Sequence, residues 1–349
     1  MAIIDKPSDY FRTKLYAGNA TNNRAITWDE TNTNMQADLL WFKSRTDTQT
    51  HGIWDSVRGA IKRLIPSSTG AEGDEANDLD SFDTNGFTVD SAANMNGSSR
   101  NYVTWGWKAG TSFTNDASAT GIGSIDSSGS VNTDAGFSII SYTGNATTNA
   151  TVAHGLGVAP SMMIVKKLNG AFNWGIYHKT LTAHKLITFT TNAPDDDASY
   201  WNDVEPTSSV FNLGSGALTN GSGSTMIAYC FAEKQGFSKF SSYTGNGNAD
   251  GTFIYTGFKP AFIMIKRTDV AKNWYINDNL RDGYNNDNPY LSPNLSAAET
   301  GGTEIDILSN GFKITASGTG HNASGGTYIY MAIAENPFVA SNFNAATAR

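Results

Sequence analysis

The feature that most constrains this chain is a phrase written three times: DLLWFKSRTDTQTHGIWD from Asp38 to Asp55, SMMIVKKLNGAFNWGIYH from Ser161 to His178, and AFIMIKRTDVAKNWYIND from Ala261 to Asp278. In each copy a lysine precedes an aspartate or histidine by 12 residues (55−43, 178−166, 278−266). Spacing that survives while the residues between it change marks one structural unit used repeatedly, and such a period decides the architecture before any single residue does.

The unit extends to both sides of the phrase. FRTKLYAGN (11–19), FSIISYTGN (137–145) and FSKFSSYTGN (237–246) precede it, and NYVTWGWK (101–108), TMIAYCFAE (225–233) and TYIYMAIAE (327–335) follow it. The expected division is a docking segment at 1–10, repeats at 11–110, 136–235 and 236–338, a Gly/Ser-rich linker at 111–135 and a tail at 339–349. A 349-residue chain accommodates three units of common domain size.

The apolar runs are five to nine residues long, rich in β-branched and aromatic side chains, and bounded by Gly, Asn, Ser or Thr, which is the signature of strands. Each phrase reads as a hairpin whose returning strand puts Trp274, Ile276 and Asp278 on one face, with Trp174, Ile176 and His178, and His51, Ile53 and Asp55, at the matching places. DSVRGAIKRLI (55–65) is the one segment with helical patterning. The expected fold class is all-β: three tandem β-sandwich or jelly-roll domains.

Composition narrows the function classes. With 24 basic against 32 acidic residues, and Arg58, Lys62 and Arg63 as the densest basic group, no nucleic-acid partner is expected. No apolar run is long enough for a membrane helix, so no membrane insertion is expected. The start MAIIDKPSDY has no signal-peptide pattern, which points to synthesis in a cytoplasm, and a lone Cys230 excludes a disulfide framework within the chain.

Candidate site residues fall in two groups. The repeated pairs Lys43/Asp55, Lys166/His178 and Lys266/Asp278 read as structural positions, cross-strand ion pairs rather than catalytic groups. Most tryptophans (Trp41, Trp54, Trp105, Trp107, Trp174, Trp274) lie in strand runs and read as core. Trp201 is the exception: it lies in the loop PDDDASYWNDVEP with Asp195, Asp196, Asp197, Asp203 and Glu205, where it would offer a ligand-binding platform. Those acids could also hold calcium, but their order lacks the EF-hand register, so no cofactor or metal is assigned. The five histidines are scattered and no nucleophile elbow is present. Glu233 and Glu335 end equivalent strands that supply one carboxyl each, where glycoside hydrolysis needs a pair. No catalytic residues are assigned and an enzyme is not expected.

SYTGN…HGLGVAPSMMIVKK, YTGFKPAFIMIKRTD and GGTYIYMAIAENPF resemble repeats in virion structural proteins of tailed bacteriophages, especially marine ones, often labelled tail fibre, with lectin-like β-sandwich units. The resemblance spans about Phe11 to Phe338; copy one departs from it by lacking the proline that Pro160 and Pro260 place before the strand. It implies a virion-surface location, other virion proteins as partners and homo-oligomerisation. The expected function is a tail-fibre or adhesin-type component contacting host surface glycans through loops presented on a rod or cluster; the alternative is a head decoration or tail accessory protein with a purely structural role.

Overall fold

The computed structural model describes residues 4–29, 33–281, 285 and 288–338. The chain is mostly antiparallel β-structure with three four-residue helices among the described residues. Three sheets share one strand order. The first runs Phe11–Ala17, Asn101–Trp107, Leu39–Ser44, Gly52–Asp55; the second contains Phe137–Thr143, Thr225–Phe231, Met162–Lys167, Gly175–His178; the third runs Ser238–Thr244, Thr327–Pro337, Phe258–Arg267, Trp274–Asp278. Registers correspond as well, with Leu39 opposite Asp55, Met162 opposite His178 and Phe262 opposite Asp278.

Each of these sheets is apolar on both faces, and the reason lies in what covers them. The outer face packs on a smaller sheet: Arg24–Thr27, Gly86–Val89 and Leu79–Asp83 in the first case, Ala150–Ala153 with Val210–Leu213 in the second, and Phe253–Tyr255, Gly311–Ile314 and Ile305–Leu308 in the third. Three separate outer cores result, around Phe87, Phe211 and Phe312. The inner faces of all three sheets meet in a single core that includes Trp105, Trp107, Ile164, Tyr229, Phe262 and Met331. The arrangement is therefore a closed cluster around one centre, and the rod is not observed.

Three expectations change in the folded chain. The segment expected as a linker is ordered: Thr111–Asn115 and Ser127–Asn132 extend the second sheet to six strands, order Thr111–Asn115, Ser127–Asn132, Phe137–Thr143 and onward. Its Asp116 caps the helix Ala117–Thr120 by accepting from the Ser118 and Ala119 N–H groups, and Gly121 ends that helix at φ +68°. Between helix and strand, Ile125 lies alongside Val152 as a parallel bridge and is buried.

The helical reading of 55–65 fails because the Asp55 carboxylate accepts from the Val57 and Arg58 N–H groups in a turn, Gly59 takes φ +97°, and Leu64 then pairs with Ile53 as extended chain. The third change concerns the N-terminus. Pro7–Asp9 forms a single 3-10 turn, and Ile4 and Tyr10 pack on the central core, with the Tyr10 ring 5.9 Å from that of Phe237. Residues 4–10 thus belong to the body of the molecule; residues 1–3 of the docking segment and the tail at 339–349 lie outside the described residues.

Candidate functional site

The repeated Lys and Asp/His positions do not pair with each other. Because Leu39, not Lys43, stands opposite Asp55, the lysine lies four residues further along its strand, about 13 Å away. The same offset holds for Lys166 and His178 and for Lys266 and Asp278. All three lysines are fully buried and donate to main-chain carbonyls: Lys43 to Ser44 and Asp47 (2.5 and 3.1 Å), Lys166 to Thr69 and Phe172 (3.1 and 2.8 Å), Lys266 to Thr191 and Arg267 (3.2 and 2.8 Å). Burial pushes each amino group down to about 8.

The acidic or imidazole partner instead reaches across to the next sheet. Asp55 accepts from the Tyr229 hydroxyl of the second sheet (2.7 Å), the ring nitrogen of His178 lies 3.1 Å from the Tyr330 carbonyl of the third, and Asp278 accepts from the Trp105 indole of the first (3.1 Å). Each contact links one sheet to the following one, and the third returns to the first. Buried arginines compensate the two carboxylates: Arg58 and Arg281 donate to Asp55 and Asp278 at 2.6 Å.

Two further hydrogen bonds run in the opposite sense. Trp174 donates to the Ile65 carbonyl (3.0 Å) and Trp274 to the Thr188 carbonyl (2.8 Å), each from one unit to the preceding one, while His51 lies beside the Ser292 backbone. Burial holds His51 well below the usual imidazole range. Loops close the same seams, since Glu72 N–H donates to the Leu168 carbonyl and Glu299 N–H to that of Arg45 (both 2.9 Å).

The sequence pattern Gly-Asn after the first strand of each unit has an equally local purpose. Asn96, Asn220 and Asn322, all fully buried, accept from the main-chain N–H of Asn19, Asn145 and Asn246 at 2.8 to 3.0 Å. A Cβ on Gly18, Gly144 or Gly245 would come 2.1 to 2.5 Å from a carbonyl oxygen of that loop, so only glycine fits. These three asparagines were not singled out from the sequence, although NGS (96–98), NGS (220–222) and NAS (322–324) mark them at matching places.

The acidic loop with Trp201 is not a platform. Trp201 ends the helix Ala198–Trp201, is 1 % exposed and packs edge-on against Tyr177, ring centres 6.1 Å apart. Its tryptophan is buried because Asp197 caps that short helix, accepting from the Ser199 N–H at 2.8 Å, and so turns the indole inward. Asp196 pairs with Lys185 (2.8 Å) and Asp203 with His184 (3.2 Å), Glu205 accepts from the Tyr177 hydroxyl (2.5 Å), and Asp195 lies in a two-residue strand opposite Leu186. Among the described residues no group of three His, Cys, Asp or Glu side chains is placed to hold a metal.

Other reactive groups are likewise buried or engaged within the fold. Cys230 is buried and its thiol pushed up to about 12. A groove lies between the first and third units, lined by Arg12, Asn279 and Glu335; there Glu335 pairs with Lys259 (3.1 Å) and Asn279 (2.6 Å), and Arg12 donates to the Ser8 and Thr33 carbonyls. Glu233 is held between Lys179 and Lys239 at 2.6 and 2.8 Å.

The outside presents a different candidate: the strand Phe253–Tyr255. Ile254 points into the outer core, and its neighbours point to solvent, Phe253 at 45 % and Tyr255 at 59 % exposure. The strand forms one edge of its three-stranded sheet, paired with Gly311–Ile314 on one side. Thr252 accepts from Ile314 N–H and Thr256 N–H donates to Asn310, so alternation aims the polar main-chain groups of Phe253 and Tyr255 at the outer edge.

No curated protein and no solved structure matches the chain. A single family model covers residues 6–337, a span that takes in all three sheets and the segment between the first two. The chain belongs to that family, the domain of unknown function DUF7483.

Proposed function

We propose that this chain is a non-enzymatic building block of a tailed-phage virion surface, made of three copies of a lectin-like β-sandwich unit and held in place by neighbouring virion proteins. The observation that carries the reading is the cycle of three hydrogen bonds at the seams, reinforced by two tryptophan bonds in the opposite sense, which ties the three sheets into one body. The resemblance to phage repeats in SYTGN and YIYMAIAENPF supports the location. A cement or accessory role takes precedence over adhesion because Trp201 and its acidic neighbours are engaged within the fold.

Adhesion to host glycans is the second reading, and the exposed rings of Phe253 and Tyr255 favour it, since aromatic faces stack on sugars. The test is gold-labelled antibody on intact particles, followed by a wash in high salt. Label over the head that survives the wash supports a decoration protein; label at tail tips, with glycan-array binding lost on Phe253→Ala, supports the adhesin. Particles without label would overturn both.

A further inference from the structure

We propose that the outer edge of strand Phe253–Tyr255 is a docking site for an extended polypeptide segment of a neighbouring protein, which adds to the sheet as a new strand. The inference rests on the reading of the chain as a part held by other proteins, and it gives that reading a contact. Its warrant is a comparison the molecule makes with itself. Ala150–Ala153 is the matching strand of the second unit: Val152 stands opposite Phe211 as Ile254 stands opposite Phe312. There the edge is occupied. The segment around Ile125 runs parallel to it, Ser124 and Ile125 N–H groups donate to the Thr151 carbonyl (2.9 and 3.1 Å), the Ser124 hydroxyl accepts from Thr151 N–H (2.8 Å), and the Ser127 hydroxyl donates to the Ala153 carbonyl (3.0 Å).

Thr151 and Ala153 correspond to Phe253 and Tyr255, so the groups that the covering segment satisfies in one unit are those that face outward in the other. No strand among the described residues lies along this edge of the third unit. The side chains differ in a consistent way: Thr151 and Ala153 are small, whereas Phe253 and Tyr255 are large, aromatic and exposed. An uncovered strand edge is the arrangement by which sheets take up extended peptides, the main chain supplying affinity and alternate side chains selectivity. The partner segment that fits is the chemistry seen at Ile125: a branched aliphatic residue between Ser124 and Asp126, with no net positive charge required.

The experiment is hydrogen exchange on the full chain, with and without a blocked synthetic peptide IGSIDSS, the sequence of residues 122–128. Slower exchange at the Phe253 and Tyr255 amides, saturating at or below about 1 mM peptide, is the expected result and corresponds to a modest strand-addition affinity. Tyr255→Pro removes an outward donor that edge strands tolerate losing, and should abolish the protection without lowering the melting temperature. Unchanged exchange at millimolar peptide would overturn the proposal, as would amides already protected in the chain alone. Protection by a methyl glycoside but not by the peptide would overturn it in favour of sugar. Peptide protection in a chain absent from particles would overturn the particle reading and leave the edge site standing; particle-bound chain without peptide protection would overturn the edge site alone.

Discussion

Replacing Asp55 by alanine tests whether three similar sheets unfold as one body. The carboxylate is fully buried and accepts from Arg58 Nε (2.6 Å), the Arg58 and Val57 N–H groups (2.9 and 3.1 Å) and the Tyr229 hydroxyl (2.7 Å) of the next sheet. Deleting it leaves the Arg58 guanidinium, whose side chain is 4 % exposed, with the part-exposed Glu72 carboxylate 3.5 Å away as its counter-charge, and breaking one half of a buried pair costs about 3–5 kcal/mol. With an unfolding entropy of about 2.1 cal/mol/K per residue, 349 residues melting together have ~0.7 kcal/mol/K, so the midpoint should fall about 4–7 °C in a single transition. A unit of roughly 100 residues melting alone has ~0.2 kcal/mol/K and would fall about 15–25 °C, moving only a third of the heat. Differential scanning calorimetry separates the two. A split thermogram in which one small transition moves by the larger amount would refute the argument for a common core. Adding Arg58→Leu to Asp55→Ala should restore part of the loss, because the buried charge is then removed as well.

His178 predicts an acid sensitivity. Burial lowers its imidazole from 6.5 to about 4, and the ring is fixed neutral because one nitrogen lies on the Tyr330 carbonyl while the other accepts from Thr180 N–H (3.3 Å). Since the folded value is the depressed one, its contribution is complete above pH 6.5 and lost as pH falls towards 4, about 3 kcal/mol in all. Urea midpoints should drop between pH 7 and 5, where the buried His51, His154 and His321 add to the fall, and His178→Gln should make that slope shallower by one group's share; an unaltered slope counts against the assignment. Asn220→Ala deprives Asn145 N–H and the Thr147 and Gly214 carbonyls of a buried partner and should cost about 1–3 kcal/mol for each group left unpaired, read by chemical denaturation. Trp201→Ala should cost about 3–5 kcal/mol through the cavity it leaves, with glycan-array binding unchanged per folded molecule; selective loss of sugar binding at full stability would restore the platform.

Much of the scaffold was legible from local pattern. Strand runs bounded by turn residues mark Asn101–Trp107, Thr225–Phe231 and Thr327–Pro337, and a side-chain period of two places Trp274, Ile276 and Asp278 on one face, which is the face that enters the common core. The shared 12-residue interval was equally visible, and misread. Spacing along the chain states that Lys43 and Asp55 occupy two strands of one hairpin; it does not state the register, and a four-residue offset sends one to its own turn carbonyls and the other to a neighbouring sheet. Trp201 was misjudged for a related reason: acidic flanks suggest solvent, but Asp197 is the cap of a four-residue helix that turns the ring inward. The segment 111–135 shows the converse case, where low apolar content suggested a linker and a sheet edge supplied the missing partners.

What the amino-acid sequence determined by itself was therefore whatever depends on neighbours a few residues away: the all-β class and the hairpins. The tertiary structure decided which unit each polar strand end would meet. Asp55, His178 and Asp278 have the same local surroundings, yet their partners Tyr229, Tyr330 and Trp105 lie 174, 152 and 173 residues away. Only the closure of three inward faces into one core brings those groups within hydrogen-bond range. The same closure leaves the strand Phe253–Tyr255 on the outside with its edge uncovered among the described residues, because the segment that fills the matching edge of the second unit stands before that unit and nothing equivalent stands between Phe231 and Phe237.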